Sequence, residues 1–399
     1  MPPILTLNAA ALPSVADATL AHVRGQIPGA ARLPLPQLAD RVADDVARLS
    51  QWFTRDREDL PPGYLTRPAV RSAYQLYFGP VGAATVQKAM DFGDAWPAPR
   101  DRPLRILDIG AGPLVASLGV AERLRGTQAL DVTAVDGARK ALEDGAAVLR
   151  QVAPEAHFTL HAGNLREGKF WRHAVRGRFD LILVANVLNE WHAGGGGRGA
   201  AAWMVEVLRE HLEEGGACVL VEPATRWASH VLIEVREALA QAGLGLPVAP
   251  CCGAQACPLA GSHRDWCFSE QPWERPPHVQ AIDAAIRHAR STLKFSYLVI
   301  ANRPAVASWR VIGGAMPDGR LLRRYLCGSQ GRAVAVSDRD RAPTWLYEAW
   351  RGDAVQVPVQ ARPAAAGGRR ELVLDVATTA PGSRPRAPGP SPSPRTRRS

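Results

Sequence analysis

The chain has 399 residues, of which 46% are hydrophobic, 22% charged and 6% aromatic. Its length suits two or three domains with a large core, and its composition excludes a wholly disordered chain, a collagen and a coiled coil. Arginine carries most of the positive charge behind the net +10, because only 4 of the 48 basic residues are lysine. This balance favours an anionic partner and a solubilising surface equally.

The sequence contains no segment that would place the chain in a membrane. No stretch approaches the roughly 20 unbroken apolar residues of a membrane helix. The N-terminus lacks the basic segment and continuous apolar core of a secretory signal. We therefore expect a cytoplasmic location of the bacterial type and no membrane partner.

Residues 1–100 are predicted to form an N-terminal helical region. Apolar residues recur every three or four positions over 36–53, which is the pattern of one buried helix face. A second stretch, residues 64–90, is rich in aromatic and small residues, and the prolines at 97, 99 and 103 mark its boundary.

Residues 101–303 are predicted to form an α/β domain, because strand-like runs alternate with helices there. Five strands end near residues 109, 136, 163, 185 and 223, and helices are predicted over 114–124, 138–152, 200–212, 227–242 and 279–292. A Cys-rich insertion, 249–270, includes a short strand at 266–269, and a last strand follows the final helix. These seven strands match the seven-stranded, doubly wound, Rossmann-like sheet of S-adenosylmethionine (SAM) methyltransferases.

Two further segments complete the chain. Residues 304–376 contain four strand-like runs separated by turn residues, which predicts a small β module. Residues 377–399 are mostly Arg, Pro, Ser and Gly, with five arginines and no acidic residue. Such a tail buries too little apolar surface to fold, and we expect it to be disordered.

A glycine turn after the first predicted strand indicates a nucleotide pocket. Asp108, Gly110 and Gly112 end that strand and open a helix, and Asp136 closes the next strand. Glycine lets the backbone approach a ligand closely, and an acid at that strand tip can accept both ribose hydroxyls. The dinucleotide pattern requires a third glycine where Val115 stands, so the turn favours SAM instead.

The remaining predicted pocket residues lie around the same strand ends, although Leu114 replaces a glycine that many such turns carry. Asn164 follows the third strand, where a polar group faces adenine, and Asn186 and Asn189 follow the fourth, at the methyl-transfer end. The complete set predicted to bind the cofactor is Asp108, Gly110, Ala111, Gly112, Pro113, Asp136, Asn164, Leu165 and Asn186.

The catalytic signatures of known nucleic-acid methylases are missing. The fourth strand ends in ANVLNE rather than an Asn-Pro-Pro-aromatic cluster, and no cysteine nucleophile stands near the tips of the fourth or fifth strand. Asn186, Glu190 and His192 are weak candidates for a catalytic role, and for the last two a structural or solvated role is the favoured interpretation.

Four of the six cysteines fall within one short segment, Cys251, Cys252, Cys257 and Cys267, and Cys327 follows later. In a cytosolic protein such clustering favours a metal over disulfides. The spacing is not that of a zinc ribbon and suits an iron–sulfur cluster held by four cysteines, with zinc or unligated thiols as the alternatives.

These pieces occur in an order that resembles one family. The matching runs are YLTRPAVRSAYQLYFGP, LDIGAGP, FDLILVANVLNEW, VEPATRWASHVLIEVREAL, the Cys-rich loop with WCF, LKFSYLVIANR and YLCGSQG. Across residues 60–355 the chain resembles the methyltransferase-like proteins of the small ribosomal subunit, mitochondrial and bacterial.

The resemblance implies a SAM-type fold with a [4Fe–4S] cluster that acts on the small ribosomal subunit and its rRNA. By position, the cluster ligands fall on Cys251, Cys257, Cys267 and Cys327, with Cys252 as an alternative first ligand. We expect a monomer and no DNA partner. Three functions follow: a class I SAM-dependent methyltransferase of the subunit, a non-catalytic assembly factor on the same scaffold, and a small-molecule methyltransferase.

Overall fold

The computed structural model describes residues 12–55, 59–188, 196–253, 255–262, 264–288, 291–305, 309–357, 361–363 and 372–375. The predicted disordered tail, 377–399, lies outside these ranges. Within them, no helix is both long enough and apolar enough to cross a membrane.

The N-terminal region is helical, as predicted. It contains α1 (Val15–Gln26), α2 (Leu35–Thr54), a 3-10 turn (Tyr64–Thr66), α3 (Pro68–Ala73), a π-helical turn (Tyr74–Phe78) and α4 (Gly79–Gly93). The apolar stripe of α2 is buried, with Leu38, Val46 and Leu49 at most 2% exposed. The aromatic-rich stretch 64–90 contains the 3-10 turn, α3, the π-helical turn and most of α4.

Strands and helices then alternate, and they form one sheet with helices on both faces. The elements are β1 (Leu104–Ile109), α5 (Val115–Leu124), β2 (Leu130–Asp136), α6 (Arg139–Val152), β3 (His157–Ala162), α7 (Gly168–Ala174), β4 (Phe179–Ala185), α8 (Gly196–His211), β5 (Leu212–Pro223), α9 (Arg226–Gln241), β6 (Leu246–Ala249), β7 (Ser269–Pro272), α10 (Pro277–Ala285) and β8 (Thr292–Ala301). Their order is β3-β2-β1-β4-β5-β8-β6, parallel from β3 to β5 and antiparallel at β8. The predicted doubly wound α/β sheet is confirmed.

The edge beside β8 differs from the sequence-based prediction. Strand β6 pairs with residues 299–301 of β8, and β7 pairs with residues 292–295 of the same strand. The two short strands therefore share the seventh position, and the Cys-rich segment leaves the sheet between them. The strand predicted at 266–269 lies at 269–272, β6 was missed, and the helix predicted over 279–292 ends at Ala285 because β8 already begins at Thr292.

The predicted small β module is confirmed. Its elements are β9 (Trp309–Val311), β10 (Met316–Asp318), β11 (Leu321–Gly328), β12 (Gly331–Asp338), α11 (Thr344–Glu348), β13 (Ala354–Val355), β14 (Ala361–Pro363) and β15 (Leu372–Asp375). The first strand of the module is tied to the end of α4, because Arg310 donates to the carbonyl of Phe92.

Asp144 of α6 joins the N-terminal helices to the sheet domain. Its carboxylate is 7% exposed and accepts hydrogen bonds from Arg71 (2.6 Å), Gln75 (3.1 Å) and Gln26 (2.6 Å). Arg71 in turn donates to the carbonyls of Leu65 and Thr66, which fixes the 3-10 turn. Although burial raises the pKa of Asp144, bonds from His22, Arg71 and Gln26 lower it to about 2.

We expect Asp144→Asn to destabilise the fold by about 3 kcal/mol, because it leaves the buried Arg71 charge without its partner. The depressed pKa means that this stability is present above about pH 4 and is lost as the pH falls towards 2. Urea unfolding from pH 7 to pH 3 tests both statements. Asp45→Asn, which breaks the pair between the partly exposed Asp45 and the exposed Arg48, should change stability by under about 1 kcal/mol. Equal effects of the two variants would contradict the role given to Asp144.

Candidate functional site

The turn between β1 and α5 requires both of its glycines. Gly110 and Gly112 have φ values of 63° and 51°, in the region that side chains rarely adopt. A Cβ on Gly110 would lie 2.3 Å from the Val187 side chain. A Cβ on Gly112 would meet only the tip of Leu65, at 3.6 Å. The backbone at Gly112 is therefore the part of the turn that a ligand can approach.

Asp136 stands beside this turn at the end of β2. Its two carboxylate oxygens accept the backbone N–H groups of Gly112 (2.9 Å) and Ala138 (2.7 Å). Burial raises the pKa of Asp136, and these two bonds oppose that shift. A carboxylate has about four acceptor positions, so two remain for ribose hydroxyls. The residues present thus fit the adenosyl group of SAM.

Asp108 lies in β1, just before the glycine turn. It is 1% exposed, and one carboxylate oxygen accepts the backbone N–H (3.1 Å) and the hydroxyl (2.6 Å) of Ser117. Burial raises its pKa to about 7. Asp108 therefore holds the first turns of α5 under the glycine turn, and Ala111 and Pro113 of that turn are buried beside it.

The fourth-strand tip is shaped by a residue that the sequence analysis missed. Asn186 has a left-handed φ of 60°, and its N–H donates to the Val221 carbonyl (2.8 Å). The buried carboxylate of Glu222 accepts the N–H groups of Val187 (3.0 Å) and Leu188 (2.8 Å). An acid inside the apolar run ACVLVEP was the available signal, since such a group needs a buried partner.

The other predicted pocket residues are placed less tightly. Asn164 is exposed and its side chain accepts the Arg166 N–H (3.0 Å), while Leu165 is half-buried. Glu190 and His192, the weak catalytic candidates, and also Asn189, lie outside the described residues.

Five cysteines line one cavity of about 460 Å³ between the sheet domain and the β module. Cys251, Cys252 and Cys257 come from the segment after β6, Cys267 precedes β7, and Cys327 lies on β11. Cys218 is buried in β5 and is not among the residues lining this cavity. The predicted ligands are therefore brought together, although they come from separate parts of the chain.

The thiols are close enough to affect one another. Burial and then the neighbouring Cys251 and Cys257 raise the pKa of Cys267 to about 12. Burial and then Cys251 raise that of Cys257 to about 11. Cys327 is raised by burial and then by Cys267 and Cys251. Cys251 acts on all three of the other predicted ligands, and Cys252 also acts on Cys327.

Arginines hold the cysteine segment in place. Arg236 of α9 is 3% exposed and donates from Nε to the sulfur of Cys251 (3.2 Å) and from one terminal nitrogen to the carbonyls of Gly253 and Gln255. It pairs with Glu237, which accepts the Cys257 N–H at 2.9 Å. Arg351 donates to the carbonyls on both sides of Cys267, those of Trp266 (3.1 Å) and Phe268 (2.9 Å).

Cysteine thiols around one cavity are donors that an iron–sulfur cluster or a zinc ion can take. Among the described residues, no three His, Cys, Asp or Glu side chains are arranged to hold a single metal ion. Zinc requires four sulfurs about 2.3 Å from one point, hence only about 4 Å apart. A [4Fe–4S] cluster likewise takes four cysteine thiolates.

The strand order and the glycine turn together define a Rossmann-like domain of the SAM-methyltransferase class. Residues 68–338 match the family described as mitochondrial small ribosomal subunit Rsm22. The chain belongs to this family, which confirms the resemblance seen in the sequence. The family's description is mitochondrial, so it does not support the cytoplasmic location, which stays a prediction.

Solved structures similar to the chain include a putative SAM-dependent methyltransferase from Streptococcus mutans, at 12% identity and a TM-score of 0.31, covering 54% of this chain and 48% of that one. An O-methyltransferase family protein from Burkholderia thailandensis has 12% identity and a TM-score of 0.34, with 66% and 69% coverage. The chain thus spans about half the length of the first. At these TM-scores the similarities carry no functional argument. No curated protein matches the chain.

At Leu114, backbone strain and side-chain burial have opposite effects on the stability of the glycine turn. Leu114 has a left-handed φ of 56° and is fully buried. Leu114→Gly would relieve about 1–2 kcal/mol of backbone strain but remove a buried side chain worth more than that, so we expect a net loss of about 2 kcal/mol. Thermal or urea unfolding measures it.

Asp94→Gly is the matched control, because Asp94 has the same strain (φ 48°) but is exposed. It should be as stable as the native chain or slightly more so. If Leu114→Gly stabilised the protein, the burial of the Leu114 side chain would contribute less to stability than its backbone strain costs.

Proposed function

We propose that the protein acts on the small ribosomal subunit during its maturation, as a SAM-binding, methyltransferase-like protein that carries a [4Fe–4S] cluster. The single observation that carries the ribosomal part is the family match over residues 68–338. The net charge of +10 supports an rRNA partner, since arginines neutralise phosphates without reading sequence.

The adenosyl end of the pocket supports SAM as the ligand. Asp136 would accept the ribose hydroxyls, and the glycine turn would bring the backbone against the cofactor at Gly112. SAM supplies an activated methyl group when bound. Asn186, held at the β4 tip by its backbone bond to β5, would line the methyl-transfer end.

The cluster would be held by Cys251, Cys257, Cys267 and Cys327. Its chemistry would supply positive metal charge to thiolates that otherwise repel one another, together with a one-electron redox couple. Because Cys327 belongs to the β module, the cluster would fasten that module to the sheet domain.

A non-catalytic assembly factor is the second candidate, and two observations favour it. Leu114 fills a position where a glycine would open the turn, and Leu65 approaches Gly112. Neither residue prevents the domain from serving as a scaffold that binds the subunit.

Cysteine substitution tests the cluster. Anaerobically purified protein should contain about four irons per chain, and Cys257→Ser should lose most of them because a cluster needs all four thiolates. Cys252→Ser is the matched control and should keep its iron, since Cys251 serves as the first ligand. Zinc without iron in the native protein would contradict the cluster and indicate a zinc site. Loss of iron in Cys252→Ser would indicate that Cys252, and not Cys251, is the first ligand.

Asp136→Ala separates the functions. We expect it to lose SAM binding, measured by calorimetry, because the ribose hydroxyls lose their acceptor. The native chain should co-sediment with small subunits and release them between about 50 and 200 mM salt. A methyltransferase would lose its effect on subunit maturation in this variant, whereas a scaffold would keep it. Failure to bind subunits even at low salt would contradict the ribosomal function and favour a small-molecule substrate.

A further inference from the structure

Cys327 stands in the middle of a row of three side chains across the β module. In the antiparallel pairs of β11, Cys327 lies opposite Arg310 of β9 on one side and opposite Arg332 of β12 on the other. Residues directly opposite one another in an antiparallel sheet project from the same face. All three line the cysteine cavity. A predicted cluster ligand is therefore flanked on both sides by a guanidinium group.

Both arginines have one hydrogen-bond donor left over. Arg310 is 2% exposed and uses its terminal nitrogens on the carbonyls of Gly352 (3.2 Å) and Phe92 (2.6 Å). Arg332 uses a terminal nitrogen on Asp265 (3.0 Å) at the rim of the cavity. In each case Nε is buried and has no acceptor within the described ranges. A buried donor without a partner costs about 1–3 kcal/mol, so both positions call for an acceptor.

The charge of Arg310 points the same way. It forms no ion pair with a carboxylate in the part of the chain that the structure describes. Its hydrogen bonds to oxygen go to neutral carbonyls, its guanidinium lies over the Phe92 ring, and it lowers the pKa of the neighbouring Cys252 thiol, which burial raises. A buried cation without a counter-charge is strongly unfavourable. The cavity it faces is lined by sulfur, and Asp265, which already pairs with Arg332, is the one carboxylate among the lining residues. An anion with sulfur acceptors would satisfy both the charge and the unpaired Nε groups of this site.

We propose that Arg310 and Arg332, on either side of Cys327, donate their Nε–H groups to sulfur atoms of the cluster. These bonds raise the reduction potential of the cluster. This inference rests on the cluster of the proposed function. A cluster with four thiolates is anionic, and the reduced form carries one more negative charge. Hydrogen bonds to sulfur and nearby positive charge stabilise that form more than the oxidised one.

Arg236 differs from these two residues. Its Nε already donates to Cys251, and its other nitrogens hold the loop that carries Cys251 and Cys257. It is a positioning residue for the ligands, and its loss should lower iron content. Arg310 and Arg332 lie on regular strands, so their loss should change the potential of a cluster that is still bound.

The test is a potentiometric titration of anaerobic protein, followed by electron paramagnetic resonance of the reduced cluster. In Arg310→Gln we expect the equilibrium constant for one-electron reduction to fall at least tenfold, which corresponds to about 59 mV. Arg332→Gln should show a smaller fall, because Asp265 already offsets its charge. Iron content should match that of the native chain.

Arg303→Gln is the matched control. Arg303 also donates to the end of α4, at the carbonyls of Gly93 and Asp94, but it does not line the cavity. Its removal deletes the same charge and a similar tether, and should leave the potential unchanged. If Arg310→Gln fails to fold, Arg332→Gln and Arg310→Lys carry the test. The reduction potential of each must be lower than that of Arg303→Gln. Arg310→Lys keeps the charge but lacks the Nε–H group that donates to sulfur.

An intact cluster with the same potential in these variants as in Arg303→Gln would overturn the inference and leave the proposed function standing. Native protein without iron would overturn both, and the iron assay separates the two cases.

Discussion

The junction between the two folded parts depends on thiols that are brought into one cavity. Burial and the neighbouring thiols raise the pKa values of Cys252, Cys257 and Cys267 to about 11, 11 and 12, so the protein groups alone disfavour the thiolate form that a metal would bind. An occupant that carries positive metal charge reverses this balance. The same occupant would satisfy the buried Nε groups of Arg310 and Arg332. A single iron–sulfur cluster would thus stabilise both the cysteine thiolates and the two arginines that line the cavity.

The sheet makes room for this cavity without losing its topology. Strands β6 and β7 share one position beside β8, and the Cys-rich segment is an excursion between them. The glycine turn lies elsewhere, at the ends of β1 and β2, where Asp136 accepts the backbone N–H of Gly112. Since the two sites use different elements, substitutions can remove one and spare the other, which is what allows enzyme and scaffold functions to be told apart.

The sequence predicted the parts of the fold that depend on local pattern. The alternation from 105 to 223, the glycine turn and the β module were all found, because hydrophobic period and turn residues encode them. The ligand cysteines were placed by resemblance, and the structure brings them to one cavity. The four-residue strand β6 was missed, because so short a run carries no period of its own.

What could not be predicted are contacts between distant elements. Nothing local in SWRVIG indicates that Arg310 faces Cys327, since that depends on the register of β9 against β11. Asp108 read as a cofactor ligand, yet its carboxylate is used by Ser117. Glu222 and Arg236 were overlooked for the same reason: their partners are far away in sequence or follow a chain reversal.

The most direct measurement is anomalous X-ray scattering at the iron edge from crystals grown without oxygen. Iron density inside the cavity, within bonding distance of the sulfurs of Cys251, Cys257, Cys267 and Cys327, is the predicted result. A cavity without iron scattering, or sulfurs bound in pairs to separate ions, would contradict the assignment of a shared cluster at this junction.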